Sequence, residues 1–235
     1  MKIEIWSDFV CPFWYIGKRR LERALEQFPH KKYVTIEYRS YQLDPTAKHI
    51  SGKSFYETFS ALKGIPLEDV KQMNEQVALQ AKIIGLDYRF DSMQYTNTFD
   101  AHRLLHFANR EEKGKELTER LLYAYFTESA LLSDINTLIR LAIEVGLDED
   151  ETRKVLNSKK FTQKVNEDIA VAQQIGVQGV PFFVFNEKYA VSGAQPEQLF
   201  IKALEQIWEE ERKEGLPKEK KKAKTTYCTG ETCKE

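Results

Sequence analysis

Cysteine is scarce in this chain: Cys11, Cys228 and Cys233 are the three in 235 residues, too few for a framework of structural disulfides. An excess of one charge is also missing. Thirty-five basic side chains meet 36 acidic ones for a net charge of −1, which gives no overall attraction to nucleic acid or to a membrane surface. No apolar run approaches the roughly 20 residues of a membrane-spanning helix. Met1 leads into a strand-like segment rather than the basic-then-apolar pattern of a secretory signal. Together these absences lead us to expect a cytoplasmic protein with redox-capable thiols and no nucleic-acid or membrane partner. What is present suits a folded chain: 42% apolar and 12% aromatic residues, at a length that allows one large domain or two small ones.

The chemistry concentrates near the start, in Ser7-Asp8-Phe9-Val10-Cys11-Pro12-Phe13-Trp14-Tyr15-Ile16-Gly17. A strand over residues 3–6 runs into a turn, and a helical pattern follows from Tyr15 to Phe28. Proline fits the first turn of a helix, where its missing N–H costs nothing, so Cys11 falls at a helix N-terminus. There the partial positive charge and the free N–H groups favour thiolate over thiol, and Cys11 is expected to act as a nucleophile. The bland alternative is a small buried hydrophobe. A Cys-x-x-Cys site would place its second cysteine at position 14, where this chain has Trp14. The attacking thiol is present and the usual resolving thiol is not.

Residues 33–41 alternate, are rich in β-formers and read as a second strand that Asp44-Pro45 ends. From about 52 to 176 the chain reads as helical. Pro66 opens a helix to Ile84 that Gly85 stops. A second helix starts near Thr98 and carries Phe99, His102, Leu105 and His106 on adjoining turns. A third runs from Lys115 to about Ser129, and Asp134, Asp148 and Ser158 cap three more, ending near Gly146, Asn157 and Gly176. After Gly179-Val180-Pro181, the run Phe182-Phe183-Val184-Phe185 reads as a strand buried on both faces. Asn186-Glu187-Lys188 reads as a hairpin turn, and Pro196 opens a last amphipathic helix. The pattern is that of an α/β fold in which a helical domain, 49–176, interrupts a domain made of 1–48 and 177–213. Residues 214–235 form a charged tail, read as solvated rather than as a nucleic-acid arm because acids are interspersed and aromatics nearly absent.

Asp8-Phe9-Val10-Cys11-Pro12 with Tyr15-Ile16-Gly17-Lys18, the helical block, Asn97-Thr98 with Ala101-His102-Arg103, and Gly179-Val180-Pro181-Phe182 occur in that order. The ordered set resembles the DsbA-like thioredoxin superfamily, most closely its cytosolic FrnE-like branch, which is related to 2-hydroxychromene-2-carboxylate isomerases and kappa-class glutathione transferases. The resemblance covers residues 1 to about 210. It implies a thioredoxin fold with a large inserted all-helical domain, an active site between the two, and a cis Pro181 facing Cys11. The peptide before Pro181 would pair with an extended substrate as an added strand, and Asn97, Thr98, His102 and Arg103 would face the cleft. The Cys-x₄-Cys tail of Cys228 and Cys233 resembles that of some FrnE-like members. Trp14 is the departure, because redox-active members carry cysteine there.

The leading expectation is a thiol–disulfide oxidoreductase in which Cys11 attacks a disulfide and Cys228, Cys233 or a small free thiol such as glutathione resolves the product. Pro12, Phe13, Trp14, Asn97, His102, Arg103, Val180 and Pro181 are the expected substrate-binding residues. The substrate is a protein or small-molecule thiol or disulfide, no metal or tightly bound cofactor is expected, and the chain is a monomer or homodimer. Two alternatives stand beside this. One is a glutathione-dependent isomerase or transferase with Trp14 as a pocket wall. The other is a non-catalytic binding protein with Phe13 and Trp14 as a docking surface. His102 and His106 have metal-ligand spacing, but Arg103 sits where a zincin helix carries its glutamate. The tail cysteines read as inert residues, as a reversible disulfide across Gly230, or as metal ligands, although two thiolates fall short of a closed zinc site. About fifteen residues precede Cys228 after the last helix, a flexible reach of roughly 20 Å r.m.s. and up to about 50 Å extended.

Overall fold

The computed structural model describes residues 1–214, 226–229 and 232–234, and from residue 214 onwards the backbone alone. Its sheet is built on β1 (Lys2–Ser7), β2 (Thr35–Ser40), β3 (Phe182–Phe185) and β4 (Tyr189–Ser192). β1 lies between β2, to which it is parallel, and β3, to which it is antiparallel. β3 is buried along its whole length, as its continuous apolar run requires. The β3–β4 hairpin turns through Asn186, Glu187 and Lys188 between the paired Phe185 and Tyr189, with the first two at positive φ (51° and 57°). The Asn186 side chain fastens this turn to the sheet by accepting the Lys2 N–H at 2.7 Å.

Helices α1 (Pro12–Gln27) and α9 (Glu197–Glu214) pack on the sheet and on each other. Gly17 lets α1 lie close to β3: a Cβ there would stand 3.1 Å from Pro181 Cγ and 3.3 Å from Phe183 Cζ. Between β2 and β3 come α2 (Phe55–Lys63), α3 (Leu67–Ile83), α4 (Phe99–Arg110), α5 (Gly114–Phe126), α6 (Ile135–Glu144), α7 (Glu149–Leu156) and α8 (Thr162–Gln174). The chain is thus a mixed α/β thioredoxin-like fold with a helical insertion.

Asp134 and Asp148 cap α6 and α7, accepting the N–H groups of Thr137 and Glu151 at 2.8 Å each. Two boundaries differ from the sequence reading. The short α2 was folded into a general helical stretch, although its capping box is visible in the residues themselves. Ser54 Oγ accepts the Glu57 N–H, and the Glu57 carboxylate accepts the Ser54 N–H in return. Ser158 does not cap α8, which starts only at Thr162 after Phe161 at φ 63°. The Ser158 hydroxyl instead donates to the Val155 carbonyl at 3.0 Å.

Two polar joints tie the insertion to the sheet side. Buried Asp168 of α8 accepts the Ser40 N–H (2.9 Å) and an Arg39 N–H (3.1 Å), and His106 Nε2 lies 3.1 Å from its carboxylate. Lys18 of α1, also buried, pairs with Glu22 at 2.7 Å and reaches Glu119 of α5. Among the described residues no helix is long and apolar enough to cross a membrane. Two short strands lie where the sequence reads as a charged run. β5 (Thr226–Thr229) runs parallel to β4, and β6 (Thr232–Lys234) pairs antiparallel with β5, with Cys228 opposite Cys233.

Candidate active site

Cys11 occupies the N-cap of α1 with Pro12 as the first helical residue. Its N–H donates to the Asp8 carbonyl at 3.0 Å, and its own carbonyl accepts the Trp14 N–H at 3.0 Å. The turn from Asp8 into the helix is therefore held at both ends of the cysteine. The thiol is 3% exposed and donates to the Val180 carbonyl at 3.2 Å. The Val180–Pro181 peptide is cis. Strand end and helix start thus bring Cys11, Pro12, Val180 and Pro181 into one corner.

The electrostatics of that corner differ from expectation. Burial is the largest influence and pushes the Cys11 thiol up to about 12; the Trp14 N–H pulls it down, the Asp8 charge pushes it further up, and the Phe13 N–H pulls it down. The free N–H groups act in the direction the helix end predicts, but desolvation outweighs them. Burial thus favours the thiol over the thiolate at Cys11.

Trp14 is fully buried, edge-on to Tyr38 at 5.9 Å and 6.3 Å from Phe183. It is neither an open pocket wall nor a docking surface, because its bulk fills the core behind the cysteine. Phe13, on the other side of the helix start, is 42% exposed.

Asn97 and Arg103 do not turn to the corner. Asn97 Oδ1 accepts the Phe99 N–H at 2.8 Å and its Nδ2 donates to the Pro45 carbonyl at 3.0 Å, so it fastens the 44–47 loop to the start of α4. Arg103 is buried, and its guanidinium donates to the carbonyls of Val155 (2.5 Å), Ser158 and Lys160 (2.9 Å) and to Asp100 (2.6 Å). It satisfies the carbonyls at the end of α7, which also explains the late start of α8. Every donor being occupied by the chain itself, Arg103 holds structure rather than substrate.

His102 does approach the corner. It is 1% exposed, its ring lies 4.9 Å from that of Phe9, and its Nε2 is 3.5 Å from Asp8 Oδ1. His106, one turn on, belongs to Asp168 instead. Among the described residues no group of three or more His, Cys, Asp or Glu is arranged to hold a metal ion.

Two residues at the corner were not singled out from the sequence. Asp8 lies one turn before Cys11 within the same motif, and its burial is not visible in one dimension. Tyr88 donates its hydroxyl to the Pro12 carbonyl at 2.7 Å across 76 positions, a contact with no local signature. A cleft of about 770 Å³ lined by Glu22, Glu26, Tyr38, Asn109 and Lys115 lies away from this corner and includes none of its residues.

The model of the DSBA-like thioredoxin domain family matches residues 2–205. The crystal structure of probable DsbA oxidoreductase SCO1869 from Streptomyces coelicolor is similar with a TM-score of 0.85 and 34% identity, covering 100% of this chain and 99% of that one. An uncharacterized protein of Bacillus subtilis, YwbO, is 28% identical over 209 residues, which is 86% of this chain and 94% of that protein. A 2-hydroxychromene-2-carboxylate isomerase shares the fold alone, with a TM-score of 0.63 at 16% identity over 93% of this chain and 100% of that one. The helix-capping cysteine against a cis-proline peptide, with a helical block between the sheet halves, thus has its place: the chain belongs to the DSBA-like thioredoxin domain family.

Proposed function

We propose that the chain is a cytoplasmic thiol–disulfide oxidoreductase of FrnE-like type with Cys11 as its nucleophile. The observation that carries this reading is the 3.2 Å contact between the Cys11 thiol, at the start of α1, and the Val180 carbonyl before Pro181. A disulfide brought against exposed Phe13 reaches Cys11 where one backbone carbonyl already orients the sulfur. Deprotonated Cys11 attacks one substrate sulfur. A new S–S bond forms, the old one breaks, and the other substrate sulfur leaves as thiolate. Trp14 cannot complete the reaction. A second thiolate attacks the Cys11 sulfur of the mixed disulfide and the remaining substrate sulfur leaves as thiolate, so that the substrate disulfide gains two electrons while Cys11 and the attacking thiol become one disulfide.

Cys228 and Cys233 are candidates for that second step, and their register as opposed residues of β5 and β6 supports a pairing between them. Opposed antiparallel residues have Cα separations of roughly 4.5–5.5 Å, within the range a disulfide spans. Glutathione or another small thiol is the alternative resolving partner.

A second reading is a DsbA-like binding protein without turnover, favoured by the burial of Cys11 and by its thiol being pushed up to about 12. The Cys11→Ser chain separates the two. We expect it to lose all disulfide-exchange turnover with model protein and small-molecule disulfides. Equal turnover in the serine variant overturns the nucleophile reading.

A further inference from the structure

The Cys11 corner contains a cluster of buried polar atoms without hydrogen-bond partners: Asp8 Oδ1, both ring nitrogens of His102, and Trp14 Nε1. The indole is an uncharged donor. The carboxylate and the imidazole can carry charge, and each is 1% exposed. Asp8 Oδ2 is satisfied by the Leu43 N–H at 2.7 Å, and Oδ1 stands 3.5 Å from His102 Nε2. That separation is too long for a good hydrogen bond and short enough for a strong charge interaction where water is excluded. His106 offers the contrast. Its Nε2 lies against both Ser40 Oγ and Asp168 at 3.1 Å, whereas neither nitrogen of His102 has a hydrogen-bond partner among the described residues.

We propose that Asp8 and His102 form a charge couple that sets the reactivity of Cys11. With His102 neutral, the Asp8 carboxylate holds Cys11 as a thiol; with a proton on His102, that charge is compensated and the thiolate forms more readily. The inference rests on Cys11 being the nucleophile, and it makes Asp8 and His102 positioning residues rather than catalytic ones.

Geometry links the couple to the thiol. The Asp8 carbonyl accepts the Cys11 N–H at 3.0 Å, so carboxyl and thiol are carried on one short turn, and the Asp8 charge acts directly on Cys11. The other titratable groups facing Asp8 are Tyr95, from the loop before α4 and hydrogen-bonded to Asp44, and Tyr125 from α5. Burial pushes both phenols up, so neither changes charge near neutral pH. Imidazole is the side chain whose charge changes there. His102 belongs to the helical insertion and Asp8 to the loop after β1, so the couple reports the seating of one part of the fold on the other to the reacting sulfur.

The test uses the full chain with Cys228→Ser and Cys233→Ser, so that iodoacetamide reads Cys11 alone. The Cys11 thiolate forms the new S–C bond as the C–I bond breaks and iodide leaves. Alkylation rates are followed from about pH 5 to about pH 12, which spans the ordinary imidazole range and the raised value of the Cys11 thiol. Asp8→Asn keeps an acceptor for Leu43 but removes the charge. It should lower the apparent pKa of Cys11 by about one unit and speed alkylation at neutral pH by ~10-fold. His102→Gln removes the group that can compensate the Asp8 charge and should slow Cys11 alkylation several-fold at the acidic end of the range. Profiles of both variants that superpose on the parent's overturn the couple. If Asp8→Asn gives no cooperative thermal transition, the His102→Gln profile decides by the same criterion. A folded parent whose Cys11 is not alkylated at any pH overturns the nucleophile reading instead, so the two failures are distinguishable.

Discussion

Two stretches of α1 treat their polar groups in opposite ways. In its middle, every charge is answered. Tyr15 donates to Glu119 at 2.5 Å, Arg19 to Glu22 at 2.7 Å and to Glu119, and Lys18 lies between Glu22 and Glu119. At its start, four residues earlier, Trp14 Nε1, Asp8 Oδ1 and both ring nitrogens of His102 around Cys11 are buried without such answers. Leaving a buried polar group unpaired costs about 1–3 kcal/mol, so the difference is not neutral for stability. It marks the middle of α1 as a joint between sheet side and insertion, and the start of α1 as the place where buried polar atoms are left without partners.

The comparison breaks most severely at Trp14, the residue that occupies the place of a second cysteine. Trp14 fills core against Tyr38 and Phe183, so Trp14→Ala should cost about 3–5 kcal/mol through lost burial and a residual cavity. Urea unfolding measures this. A loss below about 1 kcal/mol contradicts the packing role given to the indole and reopens position 14 as part of the substrate surface.

A smaller effect sharpens the other side of the comparison. Burial alone would push the Glu119 carboxyl up, but the hydrogen bonds from Arg19, Lys18 and Tyr15 and the Lys18 charge hold it down at about 2. Its folded value thus lies below the unfolded value of about 4.3. The stabilisation is fully present above that unfolded value and is lost as pH falls through it towards 2. Glu119 is 35% exposed, so solvent screening keeps the contribution to about 1 kcal/mol at neutral pH. Glu119→Gln should lower the melting temperature by a few degrees at pH 7 and flatten its fall between about pH 5 and pH 2. Parallel melting curves for the two proteins across that range contradict the joint.

Much of this architecture was legible in one dimension because local rules and tertiary packing agree. The β3 run announces burial on both faces, Asp134 and Asp148 announce caps, and Pro12 places Cys11 at a helix start. The parts that were not legible depend on depth or on distant partners. The helix-end effect on Cys11 is real but loses to burial, and burial is a property of the folded corner. Arg103 sits on the helix that reaches the corner and Asn97 in the loop just before it, yet their side chains are claimed by carbonyls near 155–160 and 45. Asp8 stood inside the motif from the beginning, and its weight became visible only beside His102, ninety-odd positions away in the chain. The late start of α8 has the same origin, in an arginine from another helix.

The central claim is that Cys11 takes a substrate sulfur and needs a second thiol to release it. Glutathione disulfide, presented to the full chain with Cys228→Ser and Cys233→Ser and followed by intact mass spectrometry, tests this most directly. We expect a glutathione adduct on Cys11 that persists until a thiol is added and then disappears with return of the free cysteine. A folded chain that forms no adduct at Cys11, at neutral or alkaline pH, contradicts the account.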